Sequence, residues 1–345
     1  MLGPIDPRGT RDEGSPSYNP TMRPHELWEG QIAKERTVRA LVTPLSWLYA
    51  LGWQSYISMY HLGIKRAASP HKPIICVGSL MVGGSGKSPL THHIVDLLRD
   101  MNRKVVIGCS GYGSPRSKDA TIAPDGPLHA SEWGDEPAMF RWLLPDVPLV
   151  VGRNRVLAAT IVHEAFPDSV IVMDDGFQHL PLEKQLTIII DDADPKNKLC
   201  LPAGPHREPR LNRGRADLII PEDFAMRRLP LHIVTPEGEP AIPEEYSILC
   251  ALAQPSRFIR TLGARYQNGL MEVPTAMLPD HDPLTAPDLW DQFPRDIPIV
   301  VTAKDWVKIR DRSDVRERKF LIALQEVNLE PRSEVVKWIE RSINE

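Results

Sequence analysis

The sequence has no surplus of positive charge: 41 Lys and Arg stand against 45 Asp and Glu, a net charge of -4. A chain built to hold a polyanionic backbone carries a basic stripe or patch, so no nucleic-acid partner is expected. Cysteine is scarce. Cys76, Cys109, Cys200 and Cys250 lie far apart and form no CxxC pair. That spacing excludes a zinc knuckle and a disulfide framework, and their apolar surroundings read as buried thiols of a reducing compartment. Met1 is not followed by the basic-then-apolar layout of a signal peptide. No internal repeat is visible.

Charge is also missing locally. From Ala40 to Tyr60 there is no charged residue, while Lys34, Arg36 and Arg39 precede the stretch and Lys65 and Arg66 follow it. The run contains Leu41, Leu45, Trp47, Leu48, Leu51 and Trp53, a length that could span a bilayer. Pro44, Ser46, Gln54, Ser55 and Ser58 would be poor in hydrocarbon, and basic residues on both sides give no orientation. Aromatics between basic flanks favour a helix lying in the membrane interface, with a buried helix as the plainer alternative.

The 345 residues suit two domains at about 100–200 residues each. Residues 1–35 are rich in Pro, Gly, Ser and charge and read as a flexible extension, followed by a membrane-associated helix over 36–66. Short apolar runs then alternate with helical spacing: Ile74–Val77, Val105–Cys109, Leu149–Val151, Val170–Met173, Thr187–Ile190 and Leu218–Ile220. Such runs predict an α/β fold with a parallel sheet buried on both faces. The rhythm restarts after about residue 225, giving a larger domain over 67–225 and a smaller α/β domain over 226–345.

The first run ends in Gly83-Gly84-Ser85-Gly86-Lys87-Ser88, and a helical pattern follows. A strand, a glycine-rich turn and Lys-Ser opening a helix are the parts of a P-loop. Backbone N–H groups and the helix N-terminus face phosphate oxygens, Lys87 reaches the β- and γ-phosphates, and the Ser88 hydroxyl ligates Mg²⁺. Met81 stands where the strict pattern has glycine. A nucleotide-bound Mg²⁺ also needs a carboxylate at a strand end. Asp174-Asp175 and Asp191-Asp192 both qualify; the first is favoured, with Asp191-Asp192 read as a solvated strand end. The proline-braced loop Leu201–Pro209 presents Arg207 and Glu208 and is trailed by Arg210, Arg213 and Arg215, which could bind an anionic substrate.

Taken in order, these pieces resemble the tetraacyldisaccharide 4'-kinase (lipid A 4'-kinase) family. The motifs that carry the resemblance are Val82–Pro89, Gly111-Tyr112-Gly113, Gly134-Asp135-Glu136-Pro137, Asp174-Asp175-Gly176-Phe177-Gln178-His179, Leu201–Pro209, Asp280-His281 and Thr302–Asp305. The resemblance implies a P-loop NTPase-like α/β/α sandwich, a second α/β domain joined by a short β linker, and ATP in the cleft between them. It implies transfer of the ATP γ-phosphoryl group to the 4'-hydroxyl of an acylated glucosamine disaccharide 1-phosphate, by a monotopic protein on the cytoplasmic face of the inner membrane. No protein partner is implied. Asp135 would be the base and His281 its partner across the cleft, with Lys87 as the third catalytic group. Tyr112 would join the P-loop as a nucleotide contact. Glu136 would join Ser88, Asp174 and Asp175 at the metal, and Gln178, His179, Arg207 and Glu208 would contact substrate or nucleotide. The chain departs from the family pattern at Ser79, Ser88, Ser110, Asp282 and Ala303. Two other classes fit parts of the sequence. A regulatory P-loop ATPase would have no need of Asp135 and His281. A soluble small-molecule kinase would have no need of the uncharged segment.

Overall fold

The computed structural model describes residues 27–28, 30, 33–71, 73–266 and 273–344, so most of the expected extension over 1–35 lies outside the described residues. The first helix, α1, runs over Ala33–His61. The first sheet then builds from β1 (Ile74–Ser79), β2 (Lys104–Cys109), β3 (Thr121–Ile122), β4 (Leu149–Val151), β5 (Ser169–Asp174), β6 (Leu186–Ile190) and β7 (Leu218–Ile220). Its order is β3-β4-β2-β5-β1-β6-β7, parallel except for the edge strand β3. Every residue of β1 and β5 is buried, as continuous aliphatic runs require when both faces are covered.

Alternation assigns those faces. Ile75 and Val77 of β1 join Leu90, Ile94 and Leu97 of α2 (Lys87–Asp100). Ile74 and Cys76 point the other way, toward a cluster with Ala158, Ala159 and Val162. The latter three lie on a later helix. After α3 (Ala130–Trp133) and α4 (Asp135–Leu143), α5 (Arg155–Ala165) covers that second face. The result is the expected α/β/α sandwich. All four cysteines are buried and free.

A strand β8 (Ala225–Arg228) leaves the first body, and the second sheet follows with β9 (His232–Val234), β10 (Pro240–Ala241), β11 (Ser247–Ala251), α6 (Pro255–Tyr266), β12 (Thr275–Leu278), β13 (Ile299–Thr302), α7 (Ala303–Ile309) and β14 (Phe320–Leu324). Its order is β10-β9-β14-β13-β11-β12. The chain returns along β15 (Val327–Glu330), which pairs antiparallel with β8 to make a two-stranded ribbon between the bodies. The closing helix α8 (Arg332–Asn344) then settles on the first body. Arg332 pairs with Asp100 at 2.6 Å, and Arg103 donates to Asn344 at 3.0 Å. Residues 327–344 therefore cover the first layer, although the sequence rhythm groups them with the second domain. Between the bodies, α4 packs against α7.

Helix α1 lies on the loop after β6. Ser46 Oγ donates to the Cys200 carbonyl at 2.6 Å and accepts from Ala203 N at 2.9 Å, Tyr49 Oη donates to the Arg207 carbonyl at 2.7 Å, and Gln54 donates to Asn212 at 2.8 Å. The helix is not a core helix: Leu41, Leu45, Trp47, Leu48 and Leu51 are all more than half exposed. Among the described residues no helix is long and apolar enough to cross a membrane.

Asp191 overturns its reading as a solvated strand end. It is buried at the end of β6 and accepts from Arg210 Nε at 3.0 Å, with Arg213 Nε 3.2 Å away. Arg210 also caps the Asp192 and Ala193 carbonyls. Arg215 meets the buried Glu208. The arginines that looked available for an anionic substrate hold their own loop instead. Asp191→Ala is expected to destabilise the fold by about 3 kcal/mol in urea denaturation, because two half-buried guanidinium groups lose their counter-charge. A loss under 1 kcal/mol would mean the pairing is worth no more than a surface bridge.

Candidate active site

The loop after β1 is fixed by backbone pairing. Val82 N donates to the Pro205 carbonyl at 2.9 Å, and Arg207 N donates to the Leu80 carbonyl at 2.7 Å. Met81 is absent from the positive-φ residues, so its position does not require glycine. The left-handed turns fall at Gly83 (φ 90°) and Gly86 (φ 95°), where a side chain would be strained. Gly86 is the N-cap of α2, so Lys87 and Ser88 open the helix and its amides face the loop.

Two carboxylates sit beside this turn. Asp174, the last residue of β5, is buried and accepts from Thr91 Oγ1 at 2.8 Å. Burial, aided by Glu136 and Asp175, pushes its carboxyl up to about 7. Asp175 takes a left-handed φ of 53°, a conformation that a short polar side chain such as aspartate adopts more readily than most. It accepts both carboxylate bonds from Arg207 Nη1, at 2.7 and 2.8 Å, and lies 3.6 Å from Lys87 Nζ. Burial would raise its pKa, but Lys87 and Arg207 outweigh that and hold it below the ordinary range.

Across the cleft, α4 starts at Asp135 directly after Gly134. Asp135 Oδ1 accepts from Glu136 N at 2.9 Å, and Oδ2 lies 2.7 Å from His281 Nδ1 of the second body. Burial opposes charge on Asp135, yet the His281 hydrogen bond and the nearby Lys304 bring its pKa down to about 2. The same hydrogen bond raises His281 against its own desolvation. The next residue repeats the pattern. Lys304 Nζ, at the start of α7, donates to Glu136 Oε1 at 2.9 Å. Burial would lower Lys304, but Glu136 and Asp135 keep it firmly protonated.

The other expected site residues divide. Tyr112 is exposed; its ring centroid is 5.7 Å from that of His281, and the Arg153 guanidinium lies 5.7 Å above it. His179 is held neutral, at about 4, by burial and by Arg155 and Lys184. Gln178 donates to the Ser79 carbonyl at 3.1 Å and to Glu208 at 3.0 Å. Glu208 does not fit a substrate contact: it is fully buried, and Gln178, Asn212 and Arg215 saturate its oxygens.

A Mg²⁺ ion has a chemically suitable berth. A carboxyl raised chiefly by burial, and further by Glu136 and Asp175, would gain from a cation beside it, and Ser88 opens the helix at the same loop. No three His, Cys, Asp or Glu side chains converge as a metal cluster among the described residues. That suits an ion held by one or two carboxylates together with phosphate oxygens.

The profile of the tetraacyldisaccharide-1-P 4'-kinase family matches residues 38–344. The chain belongs to that family. Similar proteins include the tetraacyldisaccharide 4'-kinase of Shewanella woodyi, 33% identical over 288 residues that make up 80% of this chain and 82% of the relative. That of Geobacter metallireducens is 37% identical over 191 residues, 54% of this chain and 56% of the relative. Among solved structures, LpxK from Aquifex aeolicus in complex with ATP superposes with a TM-score of 0.74 at 26% identity, covering 89% of this chain and 99% of that one. Lys304 lies in the Thr302–Asp305 motif that carries the resemblance, but no role at the site was assigned to it from the sequence.

The Asp135–His281 contact gives a signed pH dependence. His281 is raised, so its share of stability is complete below about 6.5 and is lost as pH climbs through its folded pKa; Asp135 is depressed, so its share is complete above about 4 and is lost as pH falls toward about 2. The Tm gap between the wild type and His281→Gln should therefore be largest between about pH 4 and 6.5 and shrink on the alkaline side. A gap that stays constant to pH 9 would show that the contact is not ionic.

Proposed function

We propose that this protein transfers the γ-phosphoryl group of ATP to the 4'-hydroxyl of tetraacyldisaccharide 1-phosphate, a step of lipid A biosynthesis. Family membership supports the reaction. The observation that carries the assignment of roles is the 2.7 Å contact of Asp135 with His281, a carboxylate–imidazole pair assembled from two bodies beside a phosphate-binding loop. A nucleotide switch would need the loop and the aspartates but no base for an acceptor alcohol.

In this reading the loop amides and Lys87 hold the β- and γ-phosphates, with Tyr112 at the edge of the nucleotide site. Ser88 with Asp174 or Asp175 would hold Mg²⁺, while Glu136, bound by Lys304 at 2.9 Å, is taken up in joining the two bodies. When bound, the ion neutralises charge between the β- and γ-phosphoryl oxygens. Asp135 accepts a hydrogen bond from the acceptor hydroxyl and orients it in line. A carboxylate with a pKa of about 2 is a poor base toward a resting alcohol. It suffices because that hydroxyl acidifies as its bond to phosphorus forms. Asp135 takes up that proton, and His281, which keeps its Nδ1–H on Asp135, offsets the gain by releasing its Nε2 proton to solvent, since the side chain is 34% exposed. Arg207 and His179 are the substrate-side groups, with Gln178 and Glu208 supporting them from behind.

The lipid acceptor gives the exposed face of α1 a purpose. Leu41, Trp47, Leu48 and Leu51, flanked by Lys34, Arg36 and Arg39 before and Lys65 and Arg66 after, suit a helix lying in the interface of the inner membrane's cytoplasmic leaflet.

Detergent-dispersed disaccharide 1-phosphate lipid and labelled ATP should yield a bisphosphorylated lipid, and no product at any Mg²⁺ concentration would sink the proposal. Asp135→Ala should lower the rate by at least about 10²-fold while ATP affinity changes little; equal loss of both would move Asp135 to the nucleotide site. Trp47→Glu with Leu48→Glu should reduce co-sedimentation with anionic vesicles severalfold while leaving ATP binding intact, and undiminished sedimentation would remove the interfacial role of α1.

A further inference from the structure

We infer that Arg228, on the ribbon between the two bodies, binds the nucleotide's β-phosphate from the side of Gly86. The inference rests on the P-loop reading above. A Cβ placed on Gly86 would lie 3.8 Å from Arg228 Nη2 and 3.9 Å from both Met226 Cε and Ile190 Cδ1. The β8 strand thus delivers a guanidinium to the glycine that caps α2, where P-loop amides cradle phosphate.

Strand alternation makes this delivery specific. Residues two apart share a face, so Met226 and Arg228 both turn toward the loop. Arg227 turns the other way and pairs with Glu330 of β15 at 3.5 Å. Opposite Arg228 in the ladder stands Val327, which offers no charge. Among the described residues Arg228 has no carboxylate within ion-pair distance and no hydrogen-bond acceptor. Lys87, by contrast, rests on Asp175 at 3.6 Å.

The electrostatics point to an anion. A helix N-terminus is positive, and Lys87 adds to it. A third positive group beside them is repelled unless a negative charge fills the space between. A nucleoside di- or triphosphate has that charge, and a planar guanidinium matches two phosphate oxygens at once. Met226 and Ile190 flank the position with apolar surface, which limits competition from water. Because β8 and β15 are the covalent connections between the bodies, a phosphate held here is tied to the linker as well as to the loop.

The test is calorimetric binding of ATP, ADP and AMP to the full chain. Arg228→Ala and Arg228→Gln should weaken ATP and ADP about tenfold and AMP far less, with Arg228→Lys recovering part of the loss. Arg227→Ala should stay within about twofold of wild type. Arg228 is exposed, so these variants should keep the wild-type melting temperature. Wild-type ATP binding that Lys87→Ala abolishes but Arg228→Gln leaves unchanged overturns this inference alone. An equal loss for AMP also overturns it, since the contact would then be to sugar or base. Absence of ATP binding by the wild type overturns the P-loop reading and this inference together.

Discussion

Two consecutive carboxylates on one helical turn hold the site together. Asp135 and Glu136 open α4 and reach over the cleft, one to His281 and the other to Lys304. A single surface ion pair would contribute little. These two are shielded, share a turn, and meet cations that the second sheet fixes at separate strand-end segments. The pairing makes Asp135 an anion at any physiological pH and gives the second body a defined place over the first. The packing of α4 on α7 supplies the apolar backing.

The first body answers with its own charge balance. Asp174 and Asp175 end the central strand, one buried against Thr91 and raised to about 7, the other drawn to Lys87 and Arg207. Adjacent carboxyls in one pocket are pushed to different protonation behaviour by what each faces. A cation arriving with a nucleotide would find one carboxyl already ionised and a second ready to lose its proton.

Much of this was legible. Aliphatic runs marked every strand of the first sheet except the short edge strand β3, and β11, β13 and β14 at the centre of the second, because a strand covered on both faces can be little else. The P-loop was visible through Gly83, Gly86 and Lys87 despite Met81, since the left-handed positions are where glycine matters and 81 is not one of them. The short strands β8, β9 and β15 carry no continuous aliphatic run, so they were not distinguishable from loop. The resemblance implied a short β linker without its residues, so the last helix was grouped with the second domain; its amphipathic spacing says that one face is covered but not by what. Asp191, Arg210 and Glu208 were misread for a related reason. Polar residues near a phosphate loop look available until their partners are known, and here those partners lie up to thirty residues away. His281 was assigned to Asp135 through the resemblance alone, and Lys304 gains a role only when the chain brings it back to α4.

Helix α1 offers a final consequence. Its Tyr49 hydroxyl holds the Arg207 carbonyl, and the guanidinium of that same arginine grips Asp175 beside Lys87. One residue thus joins the outermost helix to the floor of the phosphate site through two rigid bonds. The helix is therefore a strut for the site, and a version of the protein trimmed for convenience in water would carry a loosened hearth for its nucleotide.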